Sequence, residues 1–189
     1  NDYYHLTLIA KNLIGWHNLI KINNYANMYT FYYKPKVNLE TLVRFKDGLI
    51  VLSGCSGGVL NEALRKENFD MISKMMNFFV DEFKDDFYVE IICTDYDFET
   101  AKKLLELAKA YDLKSVLTLD THYLEKDDVE VQDILFCIRD NKTMNDMSRF
   151  RFEARDLWLK SKEEVLEWIN RHDDVSDRLL EAAKNSIEV

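Results

Sequence analysis

The sequence predicts an α/β fold with mainly parallel strands and C-terminal helices. Strand-like apolar segments alternate with helix-like segments along the chain, which is typical of βαβ units. Each strand candidate is short and nearly all apolar, as expected for a strand that is covered on both faces. The chain has 189 residues, 47% of them hydrophobic, with only 5 Gly and 1 Pro. This size and composition favour one domain with a sizeable core and no internal linker.

Four segments have the strand pattern: residues 4–10, 48–54, 87–93 and 115–119. Helical periodicity lies between and after them, over residues 12–29, 68–84 and 97–112, near 126–138, and near 162–171 and 174–187. An irregular stretch near 140–157 precedes the last two helices. The order of elements therefore alternates up to the fourth strand and is helical afterwards.

Three of the helical segments carry an apolar stripe that we expect to face the core. The stripes are Leu13, Trp16, Leu19 and Ile20 in the first segment, Ile72, Met75, Met76 and Phe79 in the second, and Ala101, Leu104, Leu105 and Ala108 in the third. Asn68 and Asp97 are candidate N-caps, since Asn and Asp accept hydrogen bonds from the first free amides of a helix.

Charge and composition exclude several classes of protein. The formal net charge is −9 and no block of Lys and Arg forms a basic stripe, so the chain alone should bind DNA weakly. No apolar run approaches the roughly 20 residues that cross a bilayer, and no secretory signal pattern is present, so we expect a cytoplasmic protein without a membrane partner. The 3 cysteines lack a C-x-x-C pair, which favours reduced thiols over a disulfide framework.

The first ten residues, NDYYHLTLIA, contain no initiator Met and enter a strand pattern almost at once. We expect a fragment of a longer chain. If strands that complete the sheet lie outside it, an apolar edge is exposed, and the fragment is expected to self-associate or to recruit another chain.

Candidate functional residues lie near strand ends, where the loops of parallel α/β folds converge on one face. Asp120 and His122 follow the fourth strand and are two residues apart, so an extended backbone points both side chains to the same side. A carboxylate and an imidazole suit Zn, Mn or Fe. D-x-H is also a short and common string, and Asp120 as a turn cap beside a partly buried His122 is the alternative interpretation.

Cys55 follows the second strand in the glycine-rich turn SGCSGG, whose backbone amides could also bind an anion. A lone thiol is usually a small buried hydrophobe, and its position at a strand end favours a ligand only modestly. Cys93 and Cys137 are interpreted as core residues. His5 lies at the start of its strand, not at the end, so a structural histidine is the usual interpretation there.

Other polar residues have simpler interpretations. Glu90, inside an apolar strand, must find a partner or face a cavity. Asp95 and Asp97 form a carboxylate pair of the kind used in two-metal catalysis, but their position before a helix favours capping. His17 and His172 have polar neighbours and are predicted to face solvent.

Several strings occur together in an order that resembles one family. They are YHLTLIAKNLIGWHNLIKI, FYYKPKVN, GLIVLSGCSGG, FYVEI, LDTHYL, VQDILFCI, KTMNDMSRFRF and LWLKSKEEV. Together they resemble the PHP (polymerase and histidinol phosphatase) domain of bacterial-type replicative polymerases, the DNA polymerase III alpha subunits. The resemblance implies a partial, distorted (β/α) barrel, with the later part of a PHP domain at 1–140. Residues 141–189 would be an irregular segment and helices leading toward the polymerase domain.

The resemblance also implies a cluster of three metal ions at one end of the barrel. Four ligand positions match this sequence: His5 in HLTL, Cys55 in SGC, and Asp120 with His122 in D-x-H. The family's H-x-H motif, its next histidine and an acidic ligand precede HLTL and have no counterpart here. Gln132 also replaces a histidine that many relatives carry.

The function implied by the resemblance is that of a replicative DNA polymerase fragment whose PHP region binds Zn, Mn or Fe. Metal-dependent 3′–5′ exonuclease or phosphoesterase chemistry would be incomplete in this chain, with DNA and other replisome subunits as partners of the full protein. Two alternatives remain open: a non-catalytic scaffold that supports the polymerase and binds its proofreading subunit, and a stand-alone PHP phosphatase. FYYKPKVN and KTMNDMSRFRF disfavour the phosphatase, because they resemble the polymerase branch.

Overall fold

A computed structural model describes residues 3–189 as a four-stranded sheet with eight α-helices. The strands are β1 (Thr7–Ala10), β2 (Leu49–Leu52), β3 (Phe87–Ile92) and β4 (Ser115–Thr118). The helices are α1 (Leu13–Met28), α2 (Leu39–Arg44), α3 (Val59–Arg65), α4 (Phe69–Phe83), α5 (Phe98–Ala110), α6 (Asp128–Asp140), α7 (Lys162–Asn170) and α8 (Ser176–Asn185). The predicted α/β class is confirmed, and the described sheet is compatible with part of a barrel.

The sheet order is β1-β2-β3-β4, and two of its three pairings are parallel. The exception is β1, which pairs with β2 in the antiparallel direction and sets Thr7 opposite Leu52. Because β1 runs against the others, its beginning lies at the same edge of the sheet as the ends of β2, β3 and β4. The residue just before β1 can therefore reach the residues that follow the other strands.

The two faces of the sheet carry cores of different size. Alternate strand residues on one face join a large cluster with side chains from every helix except α6; those strand residues are Leu49, Val51, Phe87, Val89, Ile91 and Leu117. The other face holds a small cluster of Ile50, Leu52, Tyr88 and Val116. Both faces are thus apolar, which explains why the strands lack an alternating polar pattern.

The outer edge of β4 is covered by the end of α8. Ser186 Oγ accepts a hydrogen bond from the Leu117 amide at 3.0 Å and donates one to the Leu117 carbonyl at 2.7 Å. Asn185 Nδ2 donates to the carbonyl of Ser115 at 2.9 Å. These bonds occupy backbone groups that an edge strand otherwise leaves free for another chain.

The core stripes predicted for α4 and α5 are confirmed, and so is the predicted cap of α4. Asn68 accepts a hydrogen bond from the Met71 amide at 3.1 Å, which caps α4. The predicted stripe of α4 is buried in the large cluster, and so are Leu104, Leu105 and Ala108 of α5, with Ala101 partly buried. The α7 and α8 helices lie where the periodicity places them, and residues 141–161 contain no helix or strand, as expected.

The predicted core stripe of α1 is wrong for Leu13, Trp16 and Ile20, which are exposed, whereas Leu19 packs against the large cluster. Leu13 is 69% exposed and Trp16 is 55% exposed, whereas the buried residues are Gly15, Asn18, Ile22 and Ala26. The reason is close backbone contact: a Cβ atom on Gly15 would lie 1.9 Å from the carbonyl oxygen of Gly48. Only the glycine-bearing face of α1 can approach the sheet, so the bulky apolar face turns outward.

Two short helices, α2 and α3, were not predicted. Hydrophobic periodicity is read over windows of about 11–18 residues, which both helices fall short of. In addition, five of the seven α3 residues are buried, so only Glu62 and Arg65 indicate a polar face. Within residues 3–189, no helix combines the length and the apolarity that a membrane crossing requires.

Candidate functional site

Two pairs of predicted ligands lie at the edge of the sheet where β2, β3 and β4 end. His5 Nδ1 is 3.3 Å from Cys55 Sγ. His122 Nε2 is 3.3 Å from Asp120 Oδ1. The antiparallel direction of β1 explains how His5, at the start of its strand, comes to the same edge as residues at strand ends.

The glycine-rich turn makes room for His5. Gly54 has φ +89°, and a Cβ atom there would lie 2.6 Å from the carbonyl oxygen of His5. A Cβ atom on Gly57 would lie 2.9 Å from His5 Nδ1. The His5 amide donates a hydrogen bond to the Gly57 carbonyl at 3.0 Å, so the backbone of the turn is bonded directly to the residue that precedes β1. The glycines thus allow the close approach that brings the imidazole to Cys55.

Asn61 of α3 stabilises the glycine-rich turn through hydrogen bonds to its backbone. Its Nδ2 donates to the Cys55 carbonyl at 3.0 Å and to the Gly54 carbonyl at 3.4 Å. Asn61 is buried, and it is a site residue that the sequence analysis did not identify. Because α3 itself was not predicted, no sequence signal connected this side chain to the turn.

Glu90 forms hydrogen bonds with the segments that carry the His5–Cys55 and Asp120–His122 pairs. It is 7% exposed and accepts hydrogen bonds from Thr118 Oγ1 at 2.8 Å, the Gly54 amide at 3.1 Å and Thr7 Oγ1 at 3.3 Å. These donors lie on β4, on the turn that bears Cys55, and on β1. The expectation that Glu90 must find partners or face a cavity is confirmed, since it also lines a pocket.

Burial and negative charge raise the pKa of two groups in the site. Burial is the larger cause for the thiol of Cys55, and the charges of Asp120 and Glu90 raise its pKa further. Burial also raises the pKa of Glu90, and Asp120 adds to that effect against the three hydrogen bonds that lower it. The charge of Asp120 thus raises the pKa of both Cys55 and Glu90.

The donor set of each pair fits two ligands of one divalent ion. With Zn–N near 2.0–2.1 Å and Zn–S near 2.3 Å, a tetrahedral site places the two donor atoms about 3.6 Å apart, close to the observed separation in the His5–Cys55 pair. Among residues 3–189, however, no group of three or more His, Cys, Asp or Glu side chains is arranged to hold a metal ion. The described residues thus form two separate pairs of potential ligands.

The Asp120–His122 pair opens into a pocket of about 330 Å³, which we call the acidic pocket. Its charged lining residues are Glu90, Asp97, Asp120, Glu153 and Arg151. The ring of Phe152 packs on His122 with centroids 4.5 Å apart, and the His122 amide donates to the Leu157 carbonyl at 2.8 Å. The irregular segment after α6 therefore forms one wall of the pocket and fixes His122.

Asp95 and Asp97 have structural roles, but the preferred interpretation of capping is wrong, because neither side chain accepts a hydrogen bond from a backbone amide of α5. Asp97 lies at the N-cap position of α5, but its Oδ1 accepts from the Thr100 hydroxyl at 2.6 Å instead of a backbone amide. Its other oxygen pairs with Arg65 at 3.0 Å. Asp95 accepts from Trp168 Nε1 at 2.8 Å and so ties the end of β3 to α7.

One histidine prediction is wrong and one is confirmed. His17 is exposed on α1, as predicted. His172 does not face solvent, because its ring stacks on Phe98 with centroids 3.6 Å apart and contacts Trp168 at 4.8 Å. Burial lowers the pKa of His172 against the opposing charge of Asp95. The polar neighbours of His172 in sequence gave no sign of this contact with α5.

The three cysteines are all free thiols, as expected. Cys93 and Cys137 are buried, which confirms their interpretation as core residues. Burial raises the pKa of Cys93 to about 12, so it stays protonated at neutral pH. Cys55 is only half-buried and is the cysteine that a solution ligand can reach.

Comparisons with known proteins show which family the sequence resembles. The family model described as PHP domain matches residues 1–94. The chain is 34% identical to DNA polymerase III subunit alpha of Thermus aquaticus over 167 aligned residues. This alignment covers 86% of the chain and 14% of the Thermus aquaticus protein. For the same subunit of Borreliella burgdorferi the identity is 29% over 189 residues, covering 98% of the chain and 16% of the relative. For Aquifex aeolicus it is 35% over 159 residues, covering 80% and 13%. The chain thus spans about a seventh of these relatives.

Proposed function

Residues 1–94 belong to the PHP domain family, and we propose that the chain is the PHP region of a replicative DNA polymerase III alpha subunit that binds divalent metal ions. The observation that carries the proposal is that the His5–Cys55 and Asp120–His122 pairs, each with donor atoms 3.3 Å apart, both lie at one edge of the sheet. Glu90 supports it, because one buried carboxylate connects the elements that bear both pairs.

The donors suit Zn, Mn or Fe. Imidazole and thiolate together favour Zn, while imidazole and carboxylate also accept Mn and Fe. Cys55 would bind as the thiolate, and since its pKa is raised in the absence of a cation, metal binding there releases a proton. Bound ions would supply positive charge against a phosphate ester and acidify a coordinated water. His5 and His122 would bind as neutral imidazoles.

We further propose that residues 1–140 are the later part of the PHP domain and that 141–189 lead toward the polymerase domain. DNA and other replisome subunits would be partners of the full-length protein. Four ligands do not enclose a cluster of three ions, so we expect 3′–5′ exonuclease or phosphoesterase activity to require ligands beyond the four named here. The 189-residue chain alone is expected to be inactive.

A non-catalytic scaffold is the second candidate function, favoured by the lack of a group of three ligands among residues 3–189. In this role the fold would support the polymerase and contact its proofreading subunit. A stand-alone phosphatase is disfavoured, because similarity to polymerase subunits continues well past residue 94 and reaches 98% of the chain in one relative.

Cobalt titration of the metal-free chain separates the first two candidates. Co²⁺ replaces Zn²⁺ in sites of this kind, and a Cys–Co²⁺ bond gives a charge-transfer absorption in the near ultraviolet. We expect this absorption in the wild-type chain and its loss in Cys55→Ser. His5→Gln should weaken it strongly, whereas the matched control His17→Gln, exposed on α1, should leave it unchanged. A wild-type chain without thiolate absorption would favour the scaffold.

A further inference from the structure

Asp133 of α6 is a buried acid that binds two arginines from the irregular segment after the helix. Its side chain is only 5% exposed. Arg155 Nη1 donates to both carboxylate oxygens at 3.0 Å, and Arg149 Nη2 donates to Oδ2 at 3.2 Å. Burial alone would raise the pKa of Asp133, but the hydrogen bonds and charges of Arg155 and Arg149 lower it below its ordinary value. The acid is therefore ionised at neutral pH, and we call these three residues the arginine clamp.

The two arginines of the clamp belong to the wall of the acidic pocket. Phe152 lies between them in the sequence, three residues from each. The ring of Phe152 packs on the imidazole of His122 with centroids 4.5 Å apart. The chain from Arg149 to Arg155 is irregular, so helix or strand hydrogen bonds do not hold it in place. The clamp thus holds this segment on both sides of the residue that contacts His122.

An aromatic cluster connects α6 to the same segment. Phe136 lies one turn after Asp133 on the buried face of α6 and packs edge-on against Phe150 and Phe152, each with centroids 4.9 Å away. Apolar contacts attract but restrict direction weakly, whereas hydrogen bonds between charged groups fix both direction and distance. The clamp therefore decides where Phe152 sits against His122.

Stability alone is a weak explanation for the clamp. A buried ion pair adds little net stability over apolar residues of similar size, because both partners lose their hydration. Arg149 is only 11% exposed, so both members of that pair are buried. Removal of Asp133 would leave the guanidinium groups of Arg149 and Arg155 without the acid that draws them together. The segment that bears Phe152 would then lose its attachment to α6.

We propose that Asp133 is a positioning residue for His122, which through Arg149 and Arg155 fixes Phe152 against the imidazole and holds that ring in one orientation. Groups that orient a metal ligand without touching the metal typically contribute 10–100-fold to metal affinity. The effect on metal binding rests on the proposed function, whereas the position of the ring does not.

NMR of the histidine rings in the metal-free 189-residue chain tests the position of His122. The chain has 4 histidines, and His122→Gln identifies the signals of His122 among them. Because the Phe152 ring lies on His122, the ring protons of His122 should be shifted relative to those of exposed His17. We expect Asp133→Asn to move the His122 signals toward the values of Phe152→Leu and to leave the other histidines unchanged.

Titration with Zn²⁺, followed at the same signals, gives the affinity of each pair separately. Asp133→Asn should weaken Zn²⁺ binding at His122 about tenfold. Binding at His5 should stay the same, because His5 does not line the acidic pocket. Arg155→Gln should have a smaller effect in the same direction, and it endangers the fold less, since Arg155 is 46% exposed. The matched control is Glu130→Gln, exposed on α6, which should behave as wild type.

A double-mutant cycle separates positioning from general stabilisation. Since Asp133 acts through Phe152, Asp133→Asn combined with Phe152→Leu should bind Zn²⁺ at His122 as weakly as Phe152→Leu alone. A purely structural role would instead multiply the two losses. The same cycle with Arg155→Gln decides the question if Asp133→Asn does not fold, as judged by urea denaturation.

Unchanged His122 signals in folded Asp133→Asn, equal weakening at His5 and His122, or multiplied losses in the cycle would overturn the inference. The two proposals fail in different ways. Zn²⁺ binding at His122 that none of these variants alters refutes this inference alone. Ring signals that move as expected, in a chain whose His122 does not respond to Zn²⁺, refute the proposed function alone.

Discussion

Two cavities near the candidate site differ in charge: the acidic pocket, and a hollow of about 860 Å³ lined in part by His5 and three lysines, which we call the basic hollow. The acidic pocket holds the Asp120–His122 pair among four carboxylates and a single arginine. The basic hollow holds His5 among three lysines and no described acid. Negative potential favours cations on one side, and positive potential favours phosphates on the other. The difference shows that the fold separates acidic from basic side chains around the candidate site, although the chain as a whole is acidic.

The glycine turn is the structural link between the two cavities, and its disruption should have the largest effect. Gly54→Ala adds a Cβ atom 2.6 Å from the backbone of His5 at a φ of +89°, and backbone cannot give way cheaply. We expect a loss of about 3 kcal/mol or more in the free energy of unfolding, measured by urea denaturation. Gly57→Ala is the matched control, because its Cβ atom meets the His5 side chain, which can move. Equal stability of both variants would show that β1 does not pack against the turn.

Removal of Glu90 should have the next largest effect. Glu90→Ala leaves the Gly54 amide and two threonine hydroxyls without their acceptor, which costs about 2 kcal/mol of stability. Glu90→Gln keeps an acceptor for the amide and should stay within about 0.5 kcal/mol of wild type at neutral pH. Thermal or urea denaturation measures both, and similar losses in the two variants would contradict the role assigned to the carboxylate.

The pH dependence of stability should reveal the buried charge of Glu90. Because its pKa in the folded chain is raised above the ordinary value of 4.5, the folded chain holds this proton more tightly than the unfolded chain. The contribution of Glu90 is therefore most favourable below about pH 4.5 and is lost as pH rises through the folded pKa. The stability of Glu90→Gln relative to wild type should increase with pH over that window. A constant difference across the window would mean that the carboxyl has an ordinary pKa.

The smallest expected effect concerns the thiol of Cys55. In metal-free protein, Asp120→Asn removes a negative charge that raises the Cys55 pKa, so alkylation by iodoacetamide at neutral pH should become a few times faster. Asp156→Asn is the matched control, since Asp156 raises the pKa of buried Cys93 instead. Mass spectrometry of the labelled peptide measures the rate at Cys55 alone. An unchanged rate would place Asp120 too far away to share a site with the thiol.

The sequence predicted which residues end the strands but not how the strands run. Apolar strands covered on both faces carry no direction in their pattern, so the antiparallel pairing of β1 and its effect on His5 could not be foreseen. The outward face of α1 was missed for a related reason. Hydrophobicity identified Leu13 and Trp16, but the close contact of Gly15 with Gly48 decides which face packs inward.

Contacts between distant segments and the local grouping of charges could not be predicted from the sequence either. His172 is partly buried by stacking on Phe98 of α5, a partner far away in the chain. The net charge of −9 predicted weak DNA binding, yet folding gathers Lys34, Lys36 and Lys74 from two segments into one hollow. A total charge describes the average surface, whereas recognition depends on which side chains the fold brings together.

An anomalous-scattering map from crystals of the 189-residue chain grown with Zn²⁺ tests the central claim most directly. The account predicts a zinc peak in contact with both His5 Nδ1 and Cys55 Sγ, at about 2.0–2.3 Å. It also predicts a second peak in contact with Asp120 and His122. Zinc bound only at other surface residues, with both pairs left free, would contradict the claim that these four side chains form the metal site.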